Sequence, residues 1–523
     1  MFSKLLNHIF DLTNNKIFVI LSLVIINLLI QGYFIDQINF ISPQDTGFLS
    51  IAKKMISSDT VTDSELELMK PYEIYPPVYP AICRIISLFT GDLDKAPRIY
   101  HIIFSSAILI PIFLISLRLY GKETAIISSL LLTFLPALST TIYYSVRHVS
   151  FIFFLYLSLY FVMVGDLENK IKYYALGGLF FGITYLIRAE VLIIVFTILC
   201  IIFLKGIGGE NKQFKNTFSK SIVFLCFFLS TFLPQYIYTY DLTGNSSLGG
   251  DKKWQYDHFV TGQGVVDKIK GDSNDIIEYG YKVYGSAEEN HNSIITAIRN
   301  NPRAYIDRVI KNFKILLDLF SSPTVIPFYL YPFMGLTLVG LIGNPKQLKD
   351  SIFFIATIVS FILLWTIVFF VQAKYLIPLV PVLTIWISHG IKLTQDKIRM
   401  ENTKKLFVYF PSIFAVLSLA IIFVTYTKAV SSDIPRETKA IGEWIKSNTS
   451  ASDLVIIPKK WFDEKFYLQY YSKRKVRNYS SMNGESILIL REGQVDLYKK
   501  DLNTRKLNTF MVKGNKIVIY GIP

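Results

Sequence analysis

Long uncharged apolar runs are the feature that most constrains this chain. Runs such as 17–35, 351–371 and 406–426 carry no charged residue. Each has about twenty residues, the length that an α-helix needs to cross the roughly 30 Å hydrocarbon core of a bilayer. With 52% hydrophobic and only 18% charged residues, the composition is also too apolar for an ordinary soluble protein. The sequence therefore predicts a polytopic α-helical membrane protein.

Eleven segments are predicted to span the membrane. They are 17–35, 98–117, 124–142, 149–164, 173–187, 190–204, 221–239, 324–343, 351–371, 375–391 and 406–426. The apolar segment 76–89 is left out because it is short, begins with Pro76-Pro77 and carries Arg84 in its middle. It is predicted to be a juxtamembrane or re-entrant helix.

Loop charges orient these spans, because cytoplasmic loops of membrane proteins carry an excess of Lys and Arg. When 76–89 is not counted, every loop assigned to the cytoplasm is basic, whereas counting it would place the Lys-rich loop 205–220 outside. We therefore predict a multi-pass protein of the plasma (inner) membrane with a cytoplasmic N-terminus. Orientation and anionic lipids explain the net charge of +15, so membrane lipids, not nucleic acid, are the predicted partners.

Two long external segments and a tail follow from this orientation. A transmembrane domain, 1–429, contains the external loops 41–98 and 241–323, and the tail 430–523 is predicted to be a small external α/β domain. Short apolar strands at 454–457, 487–490 and 516–520 alternate in the tail with the helical stretches 436–446 and 461–471.

The end of the second external loop is predicted to be an amphipathic helix in the membrane interface. Apolar residues recur at helical spacing from Tyr305 to Phe320, with Arg303, Arg308, Lys311 and Lys314 off that face.

Two acids in the first external loop are the candidate catalytic residues. Asp45 begins a short amphipathic stretch, so helix capping is an alternative role. Glu73 precedes a rigid diproline, and an ordinary solvated loop acid is the alternative there. Two carboxylates at a membrane surface suit either general-base chemistry or coordination of a divalent cation bound to phosphate.

Cationic residues at the external ends of three spans are the candidate substrate-binding residues. Each of these cations taken alone is explained as an anchor whose side chain extends to the membrane interface. Three of them that converge would instead bind a phosphate. Glu190 is interpreted as a local partner of Arg188, and His258 and His291 as ordinary loop histidines without a second metal ligand. No resident metal site is predicted. The predicted substrate-binding residues are Tyr75, Arg147, His148, Arg188, Lys374 and Tyr375.

The order of these features resembles the GT-C superfamily of polytopic glycosyltransferases, in the branch of the protein O-mannosyltransferases and the lipid A aminoarabinose transferase. The resemblance is carried by SPQDTGFLSIAKKM, YEIYPPVYPAI, RIYHIIFSSAILIPIFLISLRLYGKETAIISSLLLTFLPAL, YYALGGLFFGITYLIRAE and KYLIPLVPVL. It covers about 1–205 well and 300–390 loosely. What it implies for the fold is a GT-C-like bundle of about 11 transmembrane helices with external juxtamembrane helices and a small C-terminal α/β domain.

For function, the resemblance implies transfer of a sugar from a polyprenyl-phosphate donor to a lipid, glycan or protein acceptor outside the membrane, with inversion. On it, Asp45 matches the catalytic acid, Glu73 an acid near the acceptor or phosphate, and Lys374 a cation that holds the carrier phosphate. The sequence departs from the family pattern at Thr46, where the protein mannosyltransferases have a second acid, and at Arg147-His148, where relatives often have an aspartate. It also has Ile74 where the aminoarabinose transferase has lysine.

Two other classes of protein fit an apolar chain of this kind. A transporter or lipid flippase would need polar or broken helices at the bilayer midplane, and the predicted spans carry few charges. A non-catalytic scaffold would leave the clustered external charges without a role.

Overall fold

The structure is a computed structural model of the chain. It describes residues 16–36, 42–55, 61–139, 141, 146–207, 211–244, 246–247, 250–269, 273–320, 331–343, 345–397, 414, 416–422, 424–425, 434–450, 453–457, 462–478, 486–491, 505–512 and 515–522.

Helices dominate the chain up to residue 397. The first half contains α1 (Lys16–Asp36), α2 (Pro43–Lys54), α3 (Asp63–Met69), α4 (Val78–Thr90), α5 (Ala96–Ala107), α6 (Leu109–Tyr120), α7 (Lys122–Phe134), α8 (Pro136–Ser139), α9 (Arg147–Glu168), α10 (Ile171–Tyr185), α11 (Val191–Ile207) and α12 (Asn211–Thr243). A short hairpin, β1 (Ser246–Ser247) and β2 (Gly250–Asp251), leads to α13 (Lys252–Val266), α14 (Ser273–Tyr284), α15 (Ile294–Asn300), α16 (Pro302–Phe320), α17 (Tyr331–Ile342), α18 (Pro345–Asp350), α19 (Ile352–Leu363), α20 (Ala373–Leu376) and α21 (Val380–Lys397).

Three short helical turns complete the list. They are the 3₁₀ turns Lys70–Tyr72 and Ile377–Leu379 and the π-helical turn Leu364–Val368, which continues α19.

The prediction of a polytopic helical membrane protein is confirmed. Six helical stretches in the described part of the chain are long and apolar enough to cross a bilayer: Lys16–Tyr33, Ala96–Tyr120, Arg147–Glu168, Ala189–Gly206, Lys215–Leu242 and Lys374–Thr394. The other predicted spans coincide with shorter helices, except that 406–426 and the start of 324–343 lie largely outside the described residues. Helix α4 has 13 residues and is about 20 Å long, too short to cross the hydrocarbon core, as its composition predicted.

Close packing in the bundle depends on glycines in α10. A Cβ at Gly178 would overlap the carbonyl of Phe224 in α12, and one at Gly182 would overlap the side chain of Thr231. Small residues at such crossings let two helix backbones approach closely, which is how apolar helices gain contact in a lipid environment. Helix α10 ends just before Arg188, so this contact also fixes the position of that arginine.

Helix α16 is formed where the spacing predicts a helix, and Arg308 is on its buried face. Its side chain is fully buried, whereas Ile306, Ile310 and Phe313 are at least half exposed. Arg308 therefore lies off the apolar face, as the spacing predicts, but it is the apolar face that is exposed and the arginine that is buried. The reason is that a helix beside lipid turns its apolar stripe outward and its polar stripe toward the protein.

The chain after residue 433 forms the expected small α/β region. It contains α22 (Ile434–Asn448), β3 (Leu454–Ile457), α23 (Phe462–Ser472), β4 (Val476–Asn478), β5 (Ser486–Arg491), β6 (Arg505–Val512) and β7 (Asn515–Ile522). Its strands lie in the order β4-β3-β5-β7-β6, with β3 parallel to β4 and β5, and β7 antiparallel to β5 and β6.

Helix α23 attaches this region to the loop 41–98. Gln469 donates a hydrogen bond to the Ser64 carbonyl at 2.8 Å, and Tyr470 donates one to Asp94 at 2.9 Å. The Lys473 ammonium lies 2.6 Å from the fully buried Glu65 carboxylate of α3. The tail therefore contacts the loop that carries Asp45.

Candidate active site

A cavity of about 650 Å³ brings together residues from distant parts of the chain. It is lined by the loop 41–98, the starts of α9 and α11, the end of α12, α13 and the turn before α20. Its lining includes Tyr72, Ile74, Tyr75, Pro76, Arg147, His148, Tyr185, Arg188, Glu190, Gln235, Thr239, Asp251, Trp254, Gln255, His258, Thr261, Trp365, Phe369, Phe370, Gln372, Lys374 and Tyr375. Every residue predicted from sequence to bind substrate therefore lies at this one cavity.

The three predicted cations enter the cavity from the ends of helices. Arg147 is the first residue of α9, Arg188 follows α10, and Lys374 is in α20. Each position is set by the place where an apolar span ends, because a charged side chain there avoids the hydrocarbon core. Their convergence supports the phosphate-cluster interpretation over three independent interface anchors.

Arg188 is held by its neighbours. Its Nε lies 3.2 Å from both carboxylate oxygens of Glu190, and its guanidinium also contacts the His148 ring. Glu190 is therefore the local partner that the sequence suggested, and it lines the cavity as well. This pair fixes the guanidinium plane and leaves Arg188 largely neutralised.

Arg147 and Lys374 are different, because no carboxylate of the described residues lies within ion-pair distance of either. The Arg147 guanidinium lies over the Phe48 ring at 4.2 Å and the Tyr75 ring at 5.1 Å. Lys374 lies 5.1 Å over the ring of Tyr375, which stacks on Trp365 with centroids 3.6 Å apart. Aromatic faces hold these cations in place without neutralising their charge.

The balance of charge in the cavity favours an anion. Its lining has three cations and two carboxylates, Glu190 and Asp251, and Asp251 accepts the Trp254 N–H as the N-cap of α13. Arg147 and Lys374 thus face a water-accessible space without a direct ion pair to a carboxylate of the described residues. A phosphate would gain charge-assisted hydrogen bonds from both.

Asp45 is fully buried beside the cavity and is not in its lining. Ser42 caps α2 and donates a hydrogen bond to Asp45 Oδ2 at 2.6 Å, so Asp45 is a first-turn residue and not the cap itself. Its other oxygen, Oδ1, lies beside Tyr79 without a well-formed hydrogen bond. Burial raises the pKa of Asp45, and the Ser42 hydrogen bond and the Arg147 charge only partly oppose this.

Glu73 is not brought to the cavity. Its neighbours Tyr72, Ile74 and Tyr75 line the cavity, but the Glu73 carboxylate lies 3.5 Å from the Lys54 ammonium in a partly exposed ion pair. Successive residues of a tight turn point in different directions, and the acid is the one that points away. The geometry favours the alternative of a surface acid.

An aromatic wall in the same cavity as the cations was missed by sequence reasoning. Trp254 and His258 are one turn apart on α13 and stack with ring centroids 5.2 Å apart, and His258 lies 5.0 Å from both Phe369 and Phe370. Burial lowers the pKa of His258 to about 4, so this ring is neutral at pH 7. The signal in the sequence was the i, i+4 spacing of Trp254 and His258, but nothing linked them to residues 369–370.

No three His, Cys, Asp or Glu side chains among the described residues lie close enough to hold a metal ion. The cavity is suited to binding an anionic group by its own cations.

Comparison with known proteins agrees with this architecture. Residues 75–238 match the sequence model of the dolichyl-phosphate-mannose-protein mannosyltransferase family. The structure of ArnT from Cupriavidus metallidurans, bound to undecaprenyl phosphate, matches with a TM-score of 0.57 at 10% identity, over 96% of this chain and 97% of that one. An oligosaccharyltransferase from Archaeoglobus fulgidus, tethered to an acceptor peptide, matches with a TM-score of 0.56 at 12% identity, over 87% of this chain and 63% of that one. No curated protein sequence matches the chain significantly.

These structural matches show the fold. The chain has the fold of the GT-C superfamily of polytopic glycosyltransferases, so the resemblance inferred from sequence is confirmed. Its segment 75–238, which contains Arg147 and Arg188, carries the sequence pattern of the mannosyltransferase family.

Proposed function

We propose that this protein is an inverting membrane glycosyltransferase. It moves a sugar from a polyprenyl-phosphate or related lipid-linked donor to a lipid, glycan or protein acceptor at the outer face of the membrane. The observation that carries the proposal is the pair of cations Arg147 and Lys374, which line a cavity next to the ends of membrane spans and form no ion pair with a carboxylate of the described residues. The family match and the lipid phosphate bound by ArnT are consistent with it.

The cations act on the leaving group. In the donor, the anomeric carbon is bonded to an oxygen of the carrier phosphate, and this bond breaks as the acceptor oxygen forms its own bond to the carbon. The departing phosphate gains negative charge, and Arg147, Arg188 and Lys374 stabilise that charge more in the transition state than in the ground state.

Asp45 is the proposed base. It accepts the proton of the acceptor hydroxyl as that oxygen attacks the anomeric carbon. The proton therefore goes to Asp45, while the phosphate leaves toward the cations. Arg147 lines the cavity, and its charge acts on the buried Asp45. A raised pKa suits this role, because a base works best when its pKa approaches the operating pH.

The test separates binding from chemistry. Wild type, Asp45→Asn, Lys374→Met and the control Lys314→Met, which changes an exposed lysine of α16, are purified and supplied with a radiolabelled polyprenyl-phosphate sugar and crude envelope acceptor. Asp45→Asn should lower transfer by about 10²- to 10⁴-fold and keep its affinity for polyprenyl phosphate. Lys374→Met should lose affinity for the lipid phosphate, and Lys314→Met should match wild type. Equal transfer by wild type and Asp45→Asn would reject the assignment of the base.

A further inference from the structure

The aromatic wall and the cations face the same space. Trp254, His258, Phe369 and Phe370 line the cavity together with the cations, and Tyr75 meets the Trp254 ring edge-on at 5.5 Å. A wall of this kind offers flat apolar surface with few polar atoms. The apolar C–H face of a sugar ring is complementary to it, whereas a phosphate is not.

The wall is made of two separate elements that one buried residue joins. Trp254 and His258 belong to α13, while Phe369 and Phe370 follow the π-helical turn Leu364–Val368. Arg308 of α16 donates one hydrogen bond to the Phe259 carbonyl at 2.8 Å and another to the Val368 carbonyl at 3.3 Å. Its guanidinium also lies 4.0 Å from the Phe259 ring centroid. It therefore contacts the residue after His258 and the residue before Phe369.

Asn312, one turn further along α16, secures the second element. Its Nδ2 donates to the carbonyls of Thr366 and Phe369, both at 3.1 Å, and its Oδ1 accepts the Val371 N–H at 3.4 Å. These backbone groups lie where the helix ends in a π turn and its regular hydrogen bonds stop.

Arg308 has no carboxylate partner among the described residues, and burying a guanidinium without one is costly. A chain that needed only to fill this space would do so better with an apolar side chain. The arginine is explained by what it holds: two carbonyls on the two halves of the aromatic wall.

We propose that the wall of Trp254, His258, Phe369 and Phe370 binds the sugar ring of the lipid-linked donor, and that Arg308 is the positioning residue that sets the distance between its halves. The inference rests on the proposed function, since it places the sugar beside the phosphate held by Arg147 and Lys374. Because the anomeric carbon is bonded to an oxygen of the phosphate, the sugar ring must lie next to the cations that hold the phosphate. The wall lines the same cavity as those cations.

The experiment compares a lipid phosphate with and without its sugar. Citronellyl phosphate and its mannosyl, glucosyl and arabinosyl phosphodiesters are titrated into wild type, Trp254→Leu, Arg308→Lys and the control Lys314→Met by calorimetry. Lysine at 308 keeps the charge but cannot donate to both carbonyls at once. At least one phosphodiester should bind wild type and Lys314→Met roughly tenfold more tightly than the bare phosphate. Trp254→Leu and Arg308→Lys should lose this tighter binding of the phosphodiester and still bind the bare phosphate as wild type does. A general loss of structure would weaken the binding of both ligands.

A second measurement keeps the positioning role testable if Arg308→Lys does not fold. Asn312→Asp keeps the shape of the side chain but replaces its donor with an acceptor, so amide hydrogen exchange within 366–371 should become faster while exchange in α9 stays as in wild type. Unchanged exchange there would reject the positioning role. Failure of wild type to bind citronellyl phosphate would overturn the proposed function, whereas bare phosphate bound as tightly as every phosphodiester would overturn only the sugar subsite.

Discussion

Asp45 combines full burial with a carboxyl oxygen that lacks a well-formed hydrogen bond, and this has a consequence for stability. Because the pKa of Asp45 is raised in the folded state, the protonated form is favoured there. The stabilisation that this proton gives the folded state is complete below the pKa that Asp45 has in the unfolded chain. It is lost as the pH rises through the pKa that Asp45 has in the folded protein. Above that folded pKa the protein holds a buried charge at some cost.

Asp45→Asn should remove that cost. The amide oxygen still accepts from Ser42, so the thermal midpoint at pH 7 should equal that of wild type or exceed it by up to about 3 °C. Scanning fluorimetry in detergent would measure this, with Ser42→Ala as a control that loses the helix cap and should be less stable. A midpoint for Asp45→Asn well below that of wild type would show that the charged carboxylate stabilises the fold.

The pH dependence of transfer follows from the same residue. A base must be deprotonated, so activity should fall as pH is lowered through the raised pKa of Asp45, at a pH above the usual range of about 3.9 for an aspartate. The measurement is kcat/KM for the donor between about pH 4 and 8. A flat profile down to pH 4 would contradict the base assignment.

Residue by residue, sequence reasoning located the cations better than the acids or the aromatic wall. Arg147, Arg188 and Lys374 were found because each terminates an apolar span, a property visible in the local sequence. The orientation of Glu73 away from the cavity depends on the 3₁₀ turn before it, and no local pattern encodes that. The meeting of His258 with Phe370 is a tertiary contact between segments more than a hundred residues apart.

At the scale of elements, the crossing of α10 and α12 supplies a prediction about packing. Gly178→Ala would place a methyl group against the Phe224 backbone, which cannot move aside as a side chain can. We expect a loss of about 1–3 kcal/mol in stability, the usual effect of overpacking, together with reduced transfer because α10 positions Arg188. Thermal unfolding would measure it against Gly335→Ala, where a Cβ meets no atom within 4 Å. Equal stability of the two variants would contradict this account of the crossing.

Helix α16 shows where periodicity alone misleads. The spacing from Tyr305 to Phe320 correctly predicted a helix with one apolar face. It did not say whether that face meets protein or lipid, because the same stripe buries against a core in water and turns outward beside a bilayer. The spacing therefore placed Arg308 off the apolar face but could not show that it is buried against α13 and the π-helical turn.

The attachment of the C-terminal α/β region shows how the whole molecule supports the site. Glu65 is fully buried between Lys53 and Lys473, at 3.0 and 2.6 Å, and these partners lower the pKa of Glu65 although burial alone would raise it. The ion pairs of Glu65 stabilise the fold at a pH above the pKa that Glu65 has in the unfolded chain. This stabilisation is lost as the pH falls through the pKa of Glu65 in the folded protein. Acid should therefore weaken the contact between α23 and the loop that carries Asp45.

Glu65→Gln should loosen this attachment at neutral pH. Two lysines lose their shared partner, and breaking a mostly buried ion pair costs roughly 3 kcal/mol. Limited proteolysis should cleave the C-terminal region faster in this variant, with Glu73→Gln as the control because that acid forms only a partly exposed pair. If both variants resist protease like wild type, the Glu65 cluster does not hold the tail in place.

The orientation of the whole molecule is the prediction on which the site's access to an outer-face acceptor depends. Loop charges predict that 241–323 is outside and that the loop after α9 is in the cytoplasm. Each segment offers an exposed position for labelling: Glu288, whose side chain is 75% exposed, and Lys172. In a background with Cys83, Cys200 and Cys226 replaced by alanine, Glu288→Cys should react with an impermeant maleimide on intact cells. Lys172→Cys should react only after the membrane is opened. The reverse pattern would place the cavity on the cytoplasmic side, where an outer-face acceptor could not reach it, and the proposed reaction would then require a cytoplasmic acceptor.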